Sequence, residues 1–535
     1  MPISSLKRSN TVNTEKSTSA DTEQQDRGQG SGSKNRSKHA NQSFKRPVTL
    51  YETGQLNTSV RFMDTQAEGR PSIYLFIFVN PLSGDCKGED LIKLPIQHFR
   101  LRRFPQVQVE IHNILDDKDR TLGLANIKLV EEMAKAGQLP SLDSHQQETE
   151  YKIGETVRTR HIHVWSAGGD GTVMSVFELL VSNHVDLDSL FFSCIPFGTG
   201  NDFSQVLGWG RTIPHVDILG KRLSHLEQLI TERLQSSEAA RLDIWEIEMS
   251  AYSDGYVRLA GPKRKDGHDV LEISQQNNEQ VPHLTRKMSN YMSIGVQGYV
   301  GSGFERHRAG NRLANILVYT IESAKWVFWR RFPSVTSFIA KVVNNNETVL
   351  LCDDPDKQSD DESGNIPKMI KHPIDLVIQN IPHIWGREVD LWGNTKNGLD
   401  VVENRRGFTN PNNWSPQLAN DGKLEMMAIE NMTSYIKELA NIRENVRRIG
   451  QFGESFEIIF RRKSDTEKST KWFDNKYKKR NVICIMCDGE FYVLKNPKSL
   501  KIKRYAQVWT LGRHDEKRKG RLVIDEHTIG FRTKM

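Results

Sequence analysis

The chain has 535 residues, 26% of them charged and 37% hydrophobic, a balance that suits a soluble protein long enough for two domains with insertions. Its net charge of +7 is modest, and the basic excess gathers in the first fifty residues and in Arg461–Arg480, so an acidic partner, either nucleic acid or an anionic membrane surface, suits those stretches. Five cysteines supply no disulfide framework, no run reaches the ~18 apolar residues that would span a bilayer, and Met1–Ala20 lacks the apolar core of a secretory leader. The expected setting is therefore a reducing, cytoplasmic one with at most peripheral membrane contact.

Residues 1–69 are rich in Ser, Thr, Lys, Gln, Asn and Gly and poor in apolar side chains, so they read as a disordered tail. Ser72–Val79 is apolar on both faces, the pattern of a central parallel strand, and Asn80-Pro81-Leu82-Ser83-Gly84 breaks it. Gly88–Phe99 reads as a helix, Val107–Ile114 as an alternating strand and Leu122–Gly137 as a helix; Gln138–Arg160 is polar and reads as loop or edge. Ile162–Trp165 is a β-branched and aromatic strand that feeds Gly168-Gly169-Asp170-Gly171. Thr172 is placed to cap the following helix, whose Val173, Val176, Phe177 and Leu180 share one face. The pattern then repeats: Leu190–Phe197 is a strand, Gly198-Thr199-Gly200-Asn201 a turn, and Asp202 a cap for a short helix through Leu207. Ser224–Leu234 reads as a helix and Arg241–Met249 as a strand with an exposed face.

Past that point strand–helix alternation gives way to strands with long polar insertions. Ser253–Lys287 reads mostly as insertion and Asn290–Val300 as a strand. Leu313–Phe332 reads as an apolar helix with an aromatic and basic end, Cys352–Ser363 as an acidic insertion. Ile374–Asn380, the Asp421-Gly422 turn with its strand, Ser455–Arg462 and Val482–Met486 follow, and Asp488-Gly489-Glu490 reads as a turn. Asp-Gly turns between alternating strands suit an antiparallel sandwich. Cys484 and Cys487 are read as strand packing rather than as a metal site. The expected organisation is a tail over 1–69, an α/β domain over 70–241, a β-rich domain with insertions over 242–511, and a basic tail over 512–535.

The two glycine turns carry the chemistry. Glycines there let the backbone approach a ligand closely, and successive N–H groups at a helix start suit phosphate oxygens. Asp170 is a carboxylate set in the middle of such a loop. It needs a cation or a proton to handle, which makes it the first candidate for catalytic work.

G-G-D-G-T at Gly168–Thr172 followed by P-F-G-T-G-N-D at Pro196–Asp202 resembles the catalytic domain of the diacylglycerol kinase family, and N-P-L-S-G resembles that family's nucleotide-cleft element. The resemblance extends, more sparsely, to Trp509 through N-Y-M-S-I-G, N-I-P-H-I-W-G, D-G-K-L-E and D-G-E. It implies an ATP- and magnesium-dependent lipid kinase acting on diacylglycerol at a membrane surface, with phosphatidic acid as product and a role in lipid metabolism and signalling. The implied fold is an α/β domain like those of NAD kinase and diacylglycerol kinase, followed by a β-rich sandwich, with the nucleotide between them. The implied nucleotide contacts are Asn80, Ser83, Gly84, Gly168, Gly169, Gly171, Thr172, Gly198, Thr199, Gly200 and Asn201. Asp170 is implied as the catalytic base, and Asp202 and Glu490 as contacts of Mg2+; Glu490 enters because the family's D-G-E turn returns to the nucleotide side of the cleft. Two departures stand out: Gln297 replaces a common Asp, and Trp385 replaces one glycine of a G-G pair. No cysteine-rich zinc array or calcium loop is present in the sequence. Competing readings are a kinase for sphingoid bases, ceramide or another lipid alcohol, an NAD kinase, and an inactive membrane scaffold. No nucleic acid partner is expected, since the basic runs lack interleaved aromatic residues.

Overall fold

The computed structural model describes residues 71–84, 86–101, 104–140, 160–198, 200–261, 280–307, 321–322, 332–355, 364–395, 398–440, 445–453, 455–462 and 480–513. The expected N-terminal tail, the expected C-terminal tail beyond Arg513, the aromatic and basic part of the 313–332 stretch, the basic 463–479 insertion and Thr199 lie outside these residues.

The first half is built from β1 (Ile73–Val79), α1 (Glu89–Ile92), β2 (His98–Arg100), β3 (Val107–Asn113), α2 (Asp117–Lys135), β4 (Ile162–Gly168), α3 (Asp170–Ser182), β5 (Leu190–Pro196), α4 (Asp202–Val206) and α5 (Ser224–Gln235). β1 lies between β3 and β4, parallel to both, β4 is parallel to β5, and β2 closes the far edge antiparallel to β3. Every residue of β1 is buried. Its odd-numbered side chains, Ile73 to Val79, join one core cluster, while Tyr74, Phe76 and Phe78 join the other. Full burial of such side chains contributes about 1.5–3 kcal/mol each, which is why an apolar run without alternation becomes a central strand. The chain leaves β1 for β3 on one side and then crosses to β4 on the other. The carboxyl ends of β1 and β4 therefore flank a topological switch point, where α/β sheets bind ligands.

The second half comprises β6 (Ser237–Leu259), β7 (His283–Met288), β8 (Tyr291–Gly295), α6 (Val296–His307), β9 (Ile339–Asn344), β10 (Glu347–Cys352), β11 (Lys368–Met369), β12 (Asp375–Gln379), the small hairpin β13 (His383–Ile384) and β14 (Arg387–Glu388), β15 (Val402–Glu403), β16 (Lys423–Ile429), β17 (Val446–Gly453), β18 (Ser455–Phe460), β19 (Val482–Cys487) and β20 (Glu490–Arg513). One layer runs β19-β8-β12-β16-β17 and the other β18-β9-β10-β11-β15. β20 pairs with β19 early and with β18 later, so it belongs to both layers. Both layers contribute to one core that includes Ile294, Leu376, Met426, Phe456, Ile485 and Leu500. This is an α/β half followed by a β-rich half.

β6 and β20 form the seam. They pair from Leu259 with Tyr492 to Ser237 with Arg513, and Thr510 pairs with Phe192 of β5. Asp243 is buried in that seam and accepts hydrogen bonds from Arg504 Nη2 (2.6 Å), Gly422 N (2.7 Å) and Gln507 Nε2 (3.1 Å).

Several expectations are corrected. The helix expected over Gly88–Phe99 is a four-residue turn, because Pro95 removes a donor and disfavours helical backbone at Leu94. The helix expected from Leu122 begins at Asp117, capped by the Asp116 carboxylate on the N–H groups of Lys118 and Asp119. The strand expected over Asn290–Val300 ends at Gly295 and turns into α6, where Gly295 has φ +132°. β6 is also longer than Arg241–Met249, and Asp243 on its polar side is buried rather than exposed.

A buried ion cluster fixes β3 to α2. His112 Nδ1 faces Asp119 Oδ1 at 2.9 Å and its Nε2 faces Glu110 Oε2 at 3.4 Å, while His98 Nδ1 approaches Glu110 Oε1 at 3.1 Å. Burial by itself would lower the pKa of His112, but its bonds to Asp119 and Glu110 outweigh this and raise it. A histidine whose folded pKa exceeds its unfolded value of about 6.5 adds stability that is fully present below that pH and is lost as pH rises through the folded value. We expect His112→Ala to lower unfolding free energy by about 3–5 kcal/mol at pH 6, as for a broken buried ion pair. In urea titrations the gap to the parent protein should narrow at pH 9; a gap that is equal at both pH values contradicts the imidazolium.

Candidate functional site

Three loops meet at the switch point. Asn80 follows β1, and its backbone N–H donates to Ala167 O at the end of β4 (2.9 Å). Its side chain spans the loops: Nδ2 donates to Thr172 Oγ1 (3.2 Å) and Oδ1 accepts from Leu82 N (3.1 Å). Thr172 is therefore not the cap of α3, as its position suggests; Gly169 is the N-cap residue, and the Thr172 hydroxyl is turned to Asn80. Ser83 N donates to Asn80 O at 3.1 Å and tightens the turn. Gly84 has φ +55°, and a Cβ there would lie 1.5 Å from Phe197 O, so this position accepts no side chain.

The two glycine turns lie backbone against backbone. Phe197 N and Gly198 N both donate to Gly168 O, at 2.9 and 3.3 Å. A Cβ on Gly198 would fall 2.5 Å from the Cα of Gly169 and 2.8 Å from Asn201 Oδ1. Asn201 is buried in the left-handed conformation, φ +56°, and its Nδ2 ties Gly198 O (2.7 Å) to Arg211 O (2.8 Å). Gly200 sits over two carboxylates: a Cβ there would lie 3.3 Å from Asp170 Oδ2 and 3.8 Å from Asp202 Oδ2. Of the sequence candidates, Asn80, Ser83, Gly84, Gly168, Gly169, Asp170, Gly171, Thr172, Gly198, Gly200, Asn201 and Asp202 thus belong to one constellation.

Asp170 occupies its centre. Its Oδ2 accepts from Asp202 N (3.0 Å) and its Oδ1 from Phe203 N (2.9 Å). The first turn of α4 is therefore capped from α3, and Asp202 is not its own helix cap; the N-cap residue is Asn201, which makes no side-chain cap bond. Burial raises the pKa of Asp170, opposed by the N–H groups of Phe203 and Asp202 and by the Asn290 side-chain amide. Asp202 is raised by burial and then by the charge of Asp170, and is opposed by Gly386 N, which donates to its Oδ2 at 3.3 Å. Asp488 is pushed up to about 7 by burial, partly offset by backbone donors and increased by the charge of Asp170. Three acidic groups thus share the centre with too few cations.

Glu490 lies beside the first turn of α3, its Cγ 3.9 Å from where a Cβ on Gly171 would sit. Its carboxylate is hydrogen-bonded by the Tyr492 hydroxyl and lies 3.9 Å from Arg286 Nε. The Asp488-Gly489 turn between β19 and β20 has positive φ at both residues, +43° and +84°, as a two-residue hairpin loop of this hand requires.

Three participants escaped sequence reading. Asp488 was visible only as a turn residue; it accepts from Ser289 N (2.6 Å), Asn290 N (3.1 Å) and Tyr291 N (3.0 Å). Asn290 was read only as the start of a strand. Gly386 comes from the β13–β14 turn, and a Cβ there would meet Gly200 Cα at 3.1 Å. At the departures, Trp385 holds φ +58° and packs on Tyr435 with ring centroids 5.5 Å apart. Gln297 is buried and accepts from the Tyr291 hydroxyl (3.4 Å).

Paired glycine turns at the switch point of an α/β sheet, closed by a β-rich half, define a phosphate-handling α/β protein. Residues 74–240 match the diacylglycerol kinase catalytic domain and residues 287–490 the diacylglycerol kinase accessory domain. The chain belongs to the diacylglycerol kinase family, a family of lipid kinases. It is 26% identical over 386 residues to diacylglycerol kinase 4 of Arabidopsis thaliana, covering 67% of this chain and 68% of the relative. It is 25% identical over 359 residues to diacylglycerol kinase 3 of the same plant, covering 64% and 65%. To diacylglycerol kinase theta of Mus musculus it is 22% identical over 376 residues, covering 70% of this chain and 30% of that protein. The chain thus spans about two thirds of the plant relatives and under a third of the mouse protein.

The contact between the turns sets a prediction. Gly198→Ala forces the turns apart at backbone atoms that cannot rotate away and should lower stability by about 1–3 kcal/mol. Urea denaturation of the two proteins measures it; equal midpoints would show that the turns do not touch.

Proposed function

We propose that this chain is an ATP-dependent diacylglycerol kinase that transfers the γ-phosphate of ATP to the hydroxyl of 1,2-diacylglycerol, giving phosphatidic acid. The observation that carries this reading is the closure of three loops, Asn80–Gly84, Gly168–Thr172 and Gly198–Asp202, around one carboxylate at the switch point. The glycine turns provide backbone N–H groups for the nucleotide phosphates and leave room for them. Asp170 accepts the proton of the lipid hydroxyl as that oxygen bonds to the γ-phosphorus, and the bond to the β-phosphate oxygen breaks to release ADP. Its burial-raised pKa suits a base that takes a proton late.

Magnesium fits this centre. Among the described residues no three side chains form a metal cage, but Mg2+ is commonly held by one or two carboxylates together with substrate phosphates. The mutual repulsion of Asp170, Asp202 and Asp488 is what such a charge would relieve. Asp202 is the better supported contact; Glu490, already engaged by Tyr492 and near Arg286, is the second. When bound, the ion neutralises phosphate charge.

Among the described residues no helix is long and apolar enough to cross a membrane. The proposed encounter with diacylglycerol is therefore a peripheral one at an anionic surface, and the proposed location is the cytoplasm.

Two substitutions test the site. With radiolabelled ATP and diacylglycerol in mixed micelles, Asp170→Asn should lose at least roughly 10²-fold in turnover while the protein stays folded, its unfolding midpoint lowered because the amide leaves one α4 N–H without an acceptor. Near-normal phosphatidic acid formation by this variant would remove Asp170 from the mechanism. Gly169→Asp sets a Cβ 3.2 Å from the Cα of Gly198 and adds a carboxylate to the turn where phosphate should lie, and is expected to abolish ATP use; normal ATP turnover by it would show that the loop is not a phosphate cradle. Running the parent protein on sphingoid bases and ceramide beside diacylglycerol separates the lipid substrates, and no product with any acceptor would leave a scaffold.

A further inference from the structure

Tyr492 lies two residues past Glu490 on β20, on the same face of the strand, and is 1% exposed. It sits between two neighbours in the sheet, paired with Ile485 of β19 and with Leu259 of β6. Its ring is held in the core of the β-rich half, while its hydroxyl reaches two charged groups. That hydroxyl donates to Glu490 Oε2 and accepts from Arg286 Nε (3.2 Å). Arg286 belongs to β7, which is itself tied to α3, since Lys287 N donates to Glu178 Oε1 at 3.1 Å.

The donor chemistry fixes the direction of this relay. A guanidinium donates and never accepts, so the Arg286 N–H is given to the phenolic oxygen. The phenol's one O–H is then turned to Glu490, whose ionised carboxylate only accepts. Arg286 Nε also lies 3.9 Å from Glu490 Oε2, so both neighbours act on the same oxygen. Glu490 Oε1 has no protein hydrogen bond among the described residues. The Glu490 Cγ stands 3.9 Å from where a Cβ on Gly171 would be, at the first turn of α3. One oxygen is thus tied back into the β-rich half, and the other is left to a ligand beside the glycine turn.

We propose that Tyr492 is a positioning residue: by holding Glu490 Oε2, it keeps Oε1 for the cation that accompanies the nucleotide phosphates. The inference rests on the reading of Glu490 as a Mg2+ contact given above. Carboxylates that meet a metal are commonly oriented by such outer partners, whose loss costs roughly 10- to 100-fold in affinity or activity. A ring packed between strands is a stiffer support than a solvent-facing side chain, and the bond from Arg286 keeps the hydroxyl from turning away.

The bland alternative is that Tyr492 is a core aromatic residue whose hydroxyl has simply found buried partners. Removing only the hydroxyl separates the two. Tyr492→Phe keeps the ring and its packing but frees Glu490 to rotate. If Tyr492 positions Glu490, the apparent Mg2+ constant at saturating ATP should rise roughly 10-fold. Under saturating Mg2+, kcat should stay within about threefold, because Asp170 and the glycine turns are untouched. A packing role alone would lower the unfolding midpoint and leave the Mg2+ dependence where it is. Arg286→Lys keeps the charge and loses the directed Nε–H, so it should move the Mg2+ constant the same way by less.

The experiment compares the full chain with Y492F, R286K and E490Q by two readouts, with an unfolding midpoint for each protein. One is a Mg2+ titration of diacylglycerol phosphorylation in mixed micelles. The other needs no turnover: Mn2+ is titrated into each protein with ADP present, and free Mn2+ is followed by paramagnetic resonance. Weaker Mn2+ binding and a raised Mg2+ constant in folded Y492F support the proposal. Parent-like Mn2+ binding by Y492F overturns it even if activity falls, as does Mn2+ binding lost only in proportion to folded protein. If Y492F does not fold, R286K decides alone, and unchanged Mn2+ binding there overturns the proposal. Parent-like Mn2+ binding by E490Q instead defeats the assignment of Glu490, and a parent protein inactive on diacylglycerol defeats the kinase reading, so the failures are distinguishable.

Discussion

A carboxylate on one helix capping the start of another is the constraint on which this molecule depends. Asp170 takes the first two N–H groups of α4, and in doing so sets the second glycine turn directly against the first. The cap joins elements 32 and 33 residues apart in the chain, so the pair of turns behaves as a single backbone surface. Satisfying two helix-end donors with a charged acceptor offsets part of the cost of burying that acceptor. The rest of the cost remains, and it appears as a raised pKa at Asp170 and at its neighbours.

That residual electrostatic tension is where fold and function meet. A site assembled only for stability would pair its buried acids with arginines, as Asp243 is paired with Arg504 in the seam between β6 and β20. Asp170, Asp202 and Asp488 instead crowd together with backbone amides and the Ser289 hydroxyl as donors. Perturbed acids in a crevice at a switch point mark functional sites more often than structural ones.

The β-rich half contributes by reach. β20 runs from the Asp488-Gly489 turn, through both layers, to a pairing with β5 beside the parallel sheet. The same strand therefore carries Glu490 to the first turn of α3 and locks the seam behind it. Gly386 presses on Gly200 from a separate hairpin, and its neighbour Trp385 holds a left-handed conformation that costs a side-chain residue on the order of 1 kcal/mol or more. Packing on Tyr435 keeps Trp385 where a glycine would sit without strain.

Local chemistry alone was enough to read the strands β1, β3, β4 and β5, the helical face of Val173, Val176, Phe177 and Leu180, the two glycine turns and the candidacy of Asp170. Each depends on neighbours within a few residues: runs of apolar side chains, breaks at proline, glycines where a side chain would collide. The tertiary structure alone decided that Thr172 serves Asn80 rather than its own helix, that α4 is capped from α3, that Val296 starts a helix, and that Asn290 and Asp488 stand at the centre. Those outcomes turn on which partner a polar group finds once distant segments are packed, and hydrogen-bond partners 92 or 199 residues away leave no periodic trace in the chain.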